Sequence, residues 1–181
     1  MRVVGRYLLW VIVGMGVCHS ASAETDLRLV DQFERPIAAR ELSGRWLLVY
    51  FGYASCQETC PAALANMTRL LTRLGPLANS IDPLFITLDP GHDSPAVLRH
   101  FLTQFDPRIR GLTGSAQALS DAARTFEVPW KTTSSGSVSD HGTLFYLVAP
   151  DGRVLQMLHP QQPIDDLVAV VAKRVKPTSK P

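Results

Sequence analysis

An apolar hexapeptide at residues 46–51, WLLVYF, constrains the fold of this sequence more than any other feature. Both faces of such a strand have to be covered, which predicts a buried strand in a sheet with helices on its two sides. A cysteine pair and Pro61 follow directly, and Pro61 is typical of the first turn of a helix. Gly75 and Pro76 then predict the end of that helix. Its apolar face is predicted from residues at helical spacing: Leu64, Met67, Leu71 and Leu74.

The alternation of strand and helix continues along the chain. The predicted elements are, in order, a hairpin at 27–37, the strand 46–51, the helix from Pro61, a strand at 83–88, a helix capped by Ser94, a helix at 115–126, strands at 143–149 and 153–158, and a helix at 164–175. This order predicts the α/β class and a thioredoxin-like fold, with a central mixed sheet flanked by helices. An N-terminal hairpin and one inserted helix are additions to that fold.

The N-terminus predicts a secretory signal at residues 1–23. Two arginines precede an apolar stretch, and Ala21-Ser22-Ala23 supplies small residues for cleavage before Glu24. The apolar stretch is shorter than the about 20 residues that span a membrane. We therefore expect a periplasmic domain at 24–176, tethered to the inner membrane if the signal is retained, and a disordered tail at 177–181.

Removal of this signal changes both the net charge and the cysteine count. The full chain has 18 basic and 16 acidic side chains, and two of the arginines belong to the signal. The mature chain then has no net charge, which gives no argument for nucleic-acid binding. Its cysteines are Cys56 and Cys60. One close pair does not make a disulfide-stapled scaffold, and so short a loop gains little from a static disulfide.

The cysteine pair is predicted at the carboxyl end of the buried strand, where ligands and chemistry concentrate in open α/β sheets. The N-terminus of the following helix favours an anion, so we expect Cys60 to have the lowered thiol pKa. Three residues separate the two cysteines, whereas thioredoxin-type oxidoreductases use two. The wider loop permits a disulfide and also a chelate, and two thiolates select soft metals, chiefly Cu(I) and Zn(II).

A metal site needs at least one more ligand, and four histidines remain after the signal. His100 and His159 are predicted to be solvated surface residues. His92 lies in a loop at the same rim as the cysteines and is a distant candidate. His141 is the strongest candidate, because it follows a polar stretch and precedes the strand that begins at Thr143. From the residues alone, a surface histidine is an equal alternative for His141.

Four segments of the chain resemble the Sco (SenC/PrrC) family, whose members are copper proteins that help to assemble cytochrome c oxidase. They share the family's order, and the resemblance together spans roughly Phe33 to Leu167, most of the mature chain. The segments are FGYASCQETCP (51–61), ITLDPGHDSPAVL (86–98), GLTGSAQAL (111–119) and DHGTLFYLVAPDGRVL (140–155).

The resemblance implies a copper site, for Cu(I) or Cu(II), formed by Cys56, Cys60 and His141. Asp89 and Asp140 become candidates for hydrogen bonds around these ligands. One residue departs from the family pattern: the family usually has proline directly after the first cysteine, and this chain has glutamine there. The substitution predicts a less rigid loop with the spacing intact.

Two functions of different classes follow from the resemblance. The first is a monomeric metallochaperone that delivers copper to the CuA site of cytochrome c oxidase subunit II, with another periplasmic copper chaperone as a candidate donor. The alternative is a thiol–disulfide oxidoreductase that reduces the cysteines of the same subunit, with Cys56 and Cys60 as the redox-active pair. No Thr-x-x-Cys motif is present, which argues against a peroxidase of the peroxiredoxin type.

Overall fold

A computed structural model describes residues 29–37, 39–126, 128, 130–132, 138–141 and 143–177, with the backbone alone at 39–40, 130–132 and 138–141. The predicted signal at 1–23 and residues 178–181 of the predicted tail lie outside this part of the chain. The proposed domain boundaries therefore stay predictions.

The described chain alternates strands with helices. The strands are β1 (Leu29–Asp31), β2 (Pro36–Ile37), β3 (Trp46–Gly52), β4 (Ile81–Thr87), β5 (Arg110–Gly114), β6 (Trp130–Thr132), β7 (Val138–His141), β8 (Phe145–Val148) and β9 (Val154–Leu158). The helices are α1 (Ala39–Leu42), α2 (Thr59–Leu74), α3 (Pro95–Leu102), α4 (Ala116–Thr125) and α5 (Ile164–Arg174), with a 3-10 helix at Gly75–Ser80. Among the described residues, no helix is both long enough and apolar enough to span a bilayer.

Seven of these strands form one mixed sheet in the order β2-β1-β5-β4-β3-β8-β9. Strands β3, β4 and β5 are parallel neighbours, while the β1–β2 hairpin and the β8–β9 hairpin pair antiparallel at the two sides. Strands β6 and β7 pair with each other in a separate two-stranded sheet. The predicted α/β class, the mixed sheet and the N-terminal hairpin are confirmed.

Strand β3 is buried along its whole length, as its sequence predicts. Its alternate side chains enter two cores on opposite faces of the sheet. Leu48 and Tyr50 pack with α2, α3 and α5, while Val49 and Phe51 pack with α4. Full burial of one such side chain stabilises the folded state by about 1.5–3 kcal/mol. Helices on both faces therefore fix the position and direction of β3, and with it the segment that follows.

Strand β5 was not predicted from the sequence, although most of it lies in the segment 111–119 that resembles the family. The strand lies between β1 and β4 in the sheet. Its short length and two glycines conceal the strand pattern. Gly111 is required by packing, since a Cβ there would lie 2.7 Å from Cδ1 of Leu102 and 3.3 Å from Cβ of Leu98. The glycine lets α3 approach the sheet closely.

Gly111→Ala is expected to lower the free energy of unfolding by about 1–3 kcal/mol, because the added methyl group overpacks the contact with α3. Urea denaturation followed by circular dichroism measures the change. Gly91→Ala is the matched control, since its added Cβ would be 3.8 Å from its nearest neighbour, Oδ1 of Asp89. A loss of the same size in both variants would contradict the packing explanation.

Candidate metal centre

The two cysteines lie just beyond the carboxyl end of β3, as predicted. Cys56 is half-buried in the loop after Gly52, and Cys60 is fully buried in the first turn of α2. The helix begins at Thr59, two residues before the predicted start at Pro61. Cys60 is therefore the second residue of the helix rather than a capping residue.

The sulfur of Cys60 lies close against the end of β3. A Cβ on Gly52 would be 2.7 Å from Sγ of Cys60 and 3.0 Å from the ring of Phe85. The hydroxyl group of Tyr50 donates a hydrogen bond to Sγ of Cys60 over 3.7 Å. Burial, and then the neighbouring Cys60, raise the pKa of Tyr50 well above its usual range, so this hydroxyl keeps its proton.

The two thiols differ in their acidity. Burial raises the pKa of the Cys60 thiol to about 12, although the backbone N–H of Tyr53 acts in the opposite direction. Burial also acts to raise the pKa of Cys56, but hydrogen bonds from Cys60, Glu58 and Thr59 outweigh it and leave that pKa lowered. The backbone N–H of Cys60 donates to Sγ of Cys56 over 3.3 Å.

The expectation that Cys60 has the lowered pKa was wrong. Its sulfur turns into the core, away from the free N–H groups at the start of α2, and those groups meet Cys56 instead. Glu58, at the capping position, accepts no hydrogen bond from the helix through its side chain. The Cys56 sulfur thus serves as the anionic group at this helix N-terminus.

Asp93 anchors the cysteine loop to the end of β4. Its carboxyl group is buried, and Oδ2 accepts hydrogen bonds from the backbone N–H of Ala54 over 2.9 Å and from Oγ1 of Thr87 over 2.6 Å. Burial raises the pKa of Asp93, and these two bonds act in the opposite direction. Sequence reasoning missed this role, although Asp93 stood in a segment already singled out for its family resemblance.

His92 is paired with Asp89. Its Nδ1 lies 2.9 Å from each oxygen of the Asp89 carboxylate, and this hydrogen bond raises the pKa of His92. In the part of the chain that the structure describes, no three His, Cys, Asp or Glu side chains cluster in a metal-binding arrangement. His92 therefore does not complete a site with the two cysteines. His100 and His159 are exposed, as predicted.

His141 ends β7, and its backbone pairs with Trp130 in β6. Residues 131, 132 and 138–140 of the polar stretch before His141 therefore belong to paired strands. The side chains of His141 and Asp140 lie outside the described part of the structure, so their positions relative to the cysteines stay predictions.

These features define a class of protein: a thioredoxin-like domain with a Cys-x-x-x-Cys pair at the carboxyl ends of its parallel strands, one thiol accessible and the other buried. The particular family is given by a family model, described as SCO1/SenC, which matches residues 18–176. The chain belongs to this family.

Similar proteins include a mitochondrial SCO2 homolog of Danio rerio, 36% identical over 139 residues, which cover 73% of this chain and 50% of the relative. The chain spans about half the length of the curated relatives it matches. Among solved structures, Bradyrhizobium japonicum ScoI with copper bound has a TM-score of 0.71 and 29% identity, over 80% of this chain and 94% of that one.

A second similar structure is BsSco, described as a member of the Sco family of cytochrome c oxidase assembly proteins in which a disulfide switch was identified. Its TM-score is 0.66 and its identity 26%, over 80% of this chain and 88% of that one.

Alkylation of the native, reduced chain with iodoacetamide at neutral pH is expected to modify Cys56 at least about tenfold faster than Cys60. Cys56 is accessible and has the larger thiolate fraction, and the thiolate is the nucleophile. Peptide mass spectrometry measures each rate separately. In urea the two rates should converge. Equal rates in the native protein would contradict the assigned difference in pKa and burial.

Asp93→Ala is expected to lower the free energy of unfolding by about 1–3 kcal/mol, because the N–H of Ala54 and the hydroxyl of Thr87 lose their acceptor. The alkylation rate of Cys56 should also fall, as the loop that presents it to the helix N-terminus loosens. Asp93→Asn is the matched variant, since its amide oxygen can still accept both bonds. The anchoring role fails if Asp93→Ala has wild-type stability and reactivity.

Proposed function

We propose that this protein is a copper metallochaperone that binds copper through Cys56, Cys60 and His141 and delivers it to the CuA site of cytochrome c oxidase subunit II. The single observation that carries the proposal is the pair of adjacent cysteine sulfurs in a Sco-family domain. The match to ScoI with copper bound supports copper as the metal, and the description of BsSco supports oxidase assembly as the process.

The donor set fits a soft, monovalent or divalent ion. Cys56 has a lowered pKa and offers a thiolate at little cost. Cys60 has a raised pKa, so copper binding there has to displace a proton. The positive charge of the ion then stabilises a thiolate that burial alone disfavours. An imidazole nitrogen of His141 would complete a three-ligand site, which suits Cu(I).

Access to the site supports transfer between proteins. An open groove of about 580 Å³ borders the cysteine loop, and Ala54 and Ser55 form part of its wall. Cys56 keeps part of its surface accessible and Cys60 is buried, so a partner at the cysteine loop would meet Cys56 first. We infer a location outside the cytoplasm from the sequence prediction of a secretory signal and from the similarity to a Sco-family lipoprotein of Bacillus anthracis.

A thiol–disulfide oxidoreductase is the second candidate, and the difference between the two thiols favours it. The Cys56 thiolate would attack a partner disulfide and form a mixed disulfide. Cys60, on losing its proton, would then attack the Cys56 sulfur. This releases the partner as a dithiol and leaves a Cys56–Cys60 disulfide, a two-electron oxidation of this protein. The partner would be the copper-site subunit before its metal arrives.

Copper binding by the reduced protein tests the first proposal. One equivalent of Cu(II) should give a thiolate-to-copper charge-transfer band, which Cys56→Ser or Cys60→Ser abolishes. His141→Ala should weaken copper affinity at least about tenfold, while His159→Ala, an exposed histidine directly after β9, serves as the control and leaves affinity unchanged. Competition with a chelator measures the affinities.

Disulfide exchange with a model substrate separates the two functions. We expect His141→Ala to lose copper affinity and to keep its exchange rate, because exchange needs only the two sulfurs. If the wild-type protein binds no copper at one equivalent and still exchanges disulfides readily, the metallochaperone proposal fails and the oxidoreductase replaces it.

A further inference from the structure

A second polar cavity lies at the opposite end of the sheet from the cysteines. It has a volume of about 450 Å³ and is lined at the amino ends of the parallel strands. Three guanidinium groups, those of Arg45, Arg108 and Arg110, share its wall with one carboxylate, Asp82. The titratable groups of the lining therefore carry a formal charge of +2.

The sheet topology brings these arginines together. Arg45 directly precedes β3, whose first residue pairs with the first residue of β4, and Asp82 is the second residue of β4. Arg110 begins β5 and pairs with Leu84 of β4. Because the three strands run parallel, their amino ends lie side by side. The cysteines follow the other end of β3, about 20 Å away along a strand of seven residues.

Two of the guanidinium groups have carboxylate partners. Arg45 donates from Nε and Nη2 to the Asp82 carboxylate over 3.1 and 2.6 Å, and from Nη2 also to the carbonyl of Asn79 over 3.2 Å. Arg108 donates from Nε and Nη2 to Asp106 over 2.9 and 2.7 Å. In both, the Nη1 donors have no hydrogen bond to another described residue.

Arg110 differs from the other two. Its Nη2 approaches Oδ2 of Asp82 only to 4.0 Å, and it makes no side-chain hydrogen bond within the described part of the chain. Its side chain is 26% exposed, so the charge lies partly out of solvent and is screened less than a surface charge. A guanidinium carries five N–H donors in a planar fork that matches the oxygens of a phosphate or carboxylate.

We propose that this cavity is a binding site for a phosphate-type dianion, with the free fork of Arg110 as its main ligand. The Nη1 donors of Arg45 and Arg108 would contact the remaining oxygens, while Asp82 and Asp106 hold those two side chains in place. With the Asp106 carboxylate that Arg108 holds included, these three arginines and two aspartates keep a net positive charge, which favours an anion. The volume exceeds that of a bare phosphate ion, which leaves room for an organic group attached to it.

Titration of the full-length, metal-free protein with inorganic phosphate tests the site. Ionic strength is held constant with sodium chloride, and backbone N–H shifts are followed by NMR at pH 7.5. We expect saturable shifts at Arg45, Arg108 and Arg110, and none at Cys56. Arg110→Gln should weaken phosphate affinity about tenfold or more without lowering the melting temperature. Arg110→Lys keeps the charge but loses the planar guanidinium. Its phosphate affinity should lie between those of the wild type and of Arg110→Gln.

Arg153→Gln is the matched control, because it removes the same charge from an exposed side chain in the β8–β9 turn, where Arg153 pairs with Asp151. Its phosphate affinity should equal that of the wild type. Equal weakening by Arg110→Gln and Arg153→Gln would reduce the effect to net charge and overturn the proposal. Shifts that never saturate in the wild-type protein would overturn it as well. Neither result bears on copper binding by the cysteines.

Discussion

The close packing of the Cys60 sulfur against Gly52 is the contact on which the rest of the site depends. It holds the first turn of α2 against the end of β3. A side chain on residue 52 would need the space that the Cys60 sulfur fills. With one sulfur fixed in the core, the N–H groups at the start of the helix are left for Cys56. The burial of Cys60 thereby leaves to Cys56 the hydrogen bonds that lower its pKa. One short segment therefore holds a thiol with a raised pKa and a thiol with a lowered pKa.

Periodicity predicted the parts of the fold whose residues repeat an apolar pattern. Strand β3 and helices α2, α3 and α5 were predicted because a buried strand or helix face places apolar residues at a regular spacing in the sequence. Strand β5 was missed because Gly111 is there for the contact with Leu102, and a glycine carries no hydrophobic signal. The β6–β7 pair was missed because, apart from Trp130 and Val138, its residues are polar, and short pairing segments have no distinctive period.

The candidate site was only partly predictable, for a different reason. The spacing of Cys56 and Cys60 gave their place in the fold, yet it could not indicate which sulfur faces the core, and the pKa assignment failed on that point. Asp93 acts through a contact with Ala54 that lies 39 residues away in sequence, which no local pattern reveals. His141 was identified by family resemblance and remains a prediction.

The separate pairing of β6 with β7 has a consequence for how a bound ion could leave. Within the described residues, β6 and β7 form a two-stranded sheet. This sheet is separate from the seven-stranded sheet that contains β3, the strand that the cysteines follow. On the proposed ligand set, two donors belong to the packed domain and the third to an independently paired arm. On that ligand set, a recipient could displace the imidazole while both sulfurs keep their places, and transfer would then proceed by stepwise ligand substitution.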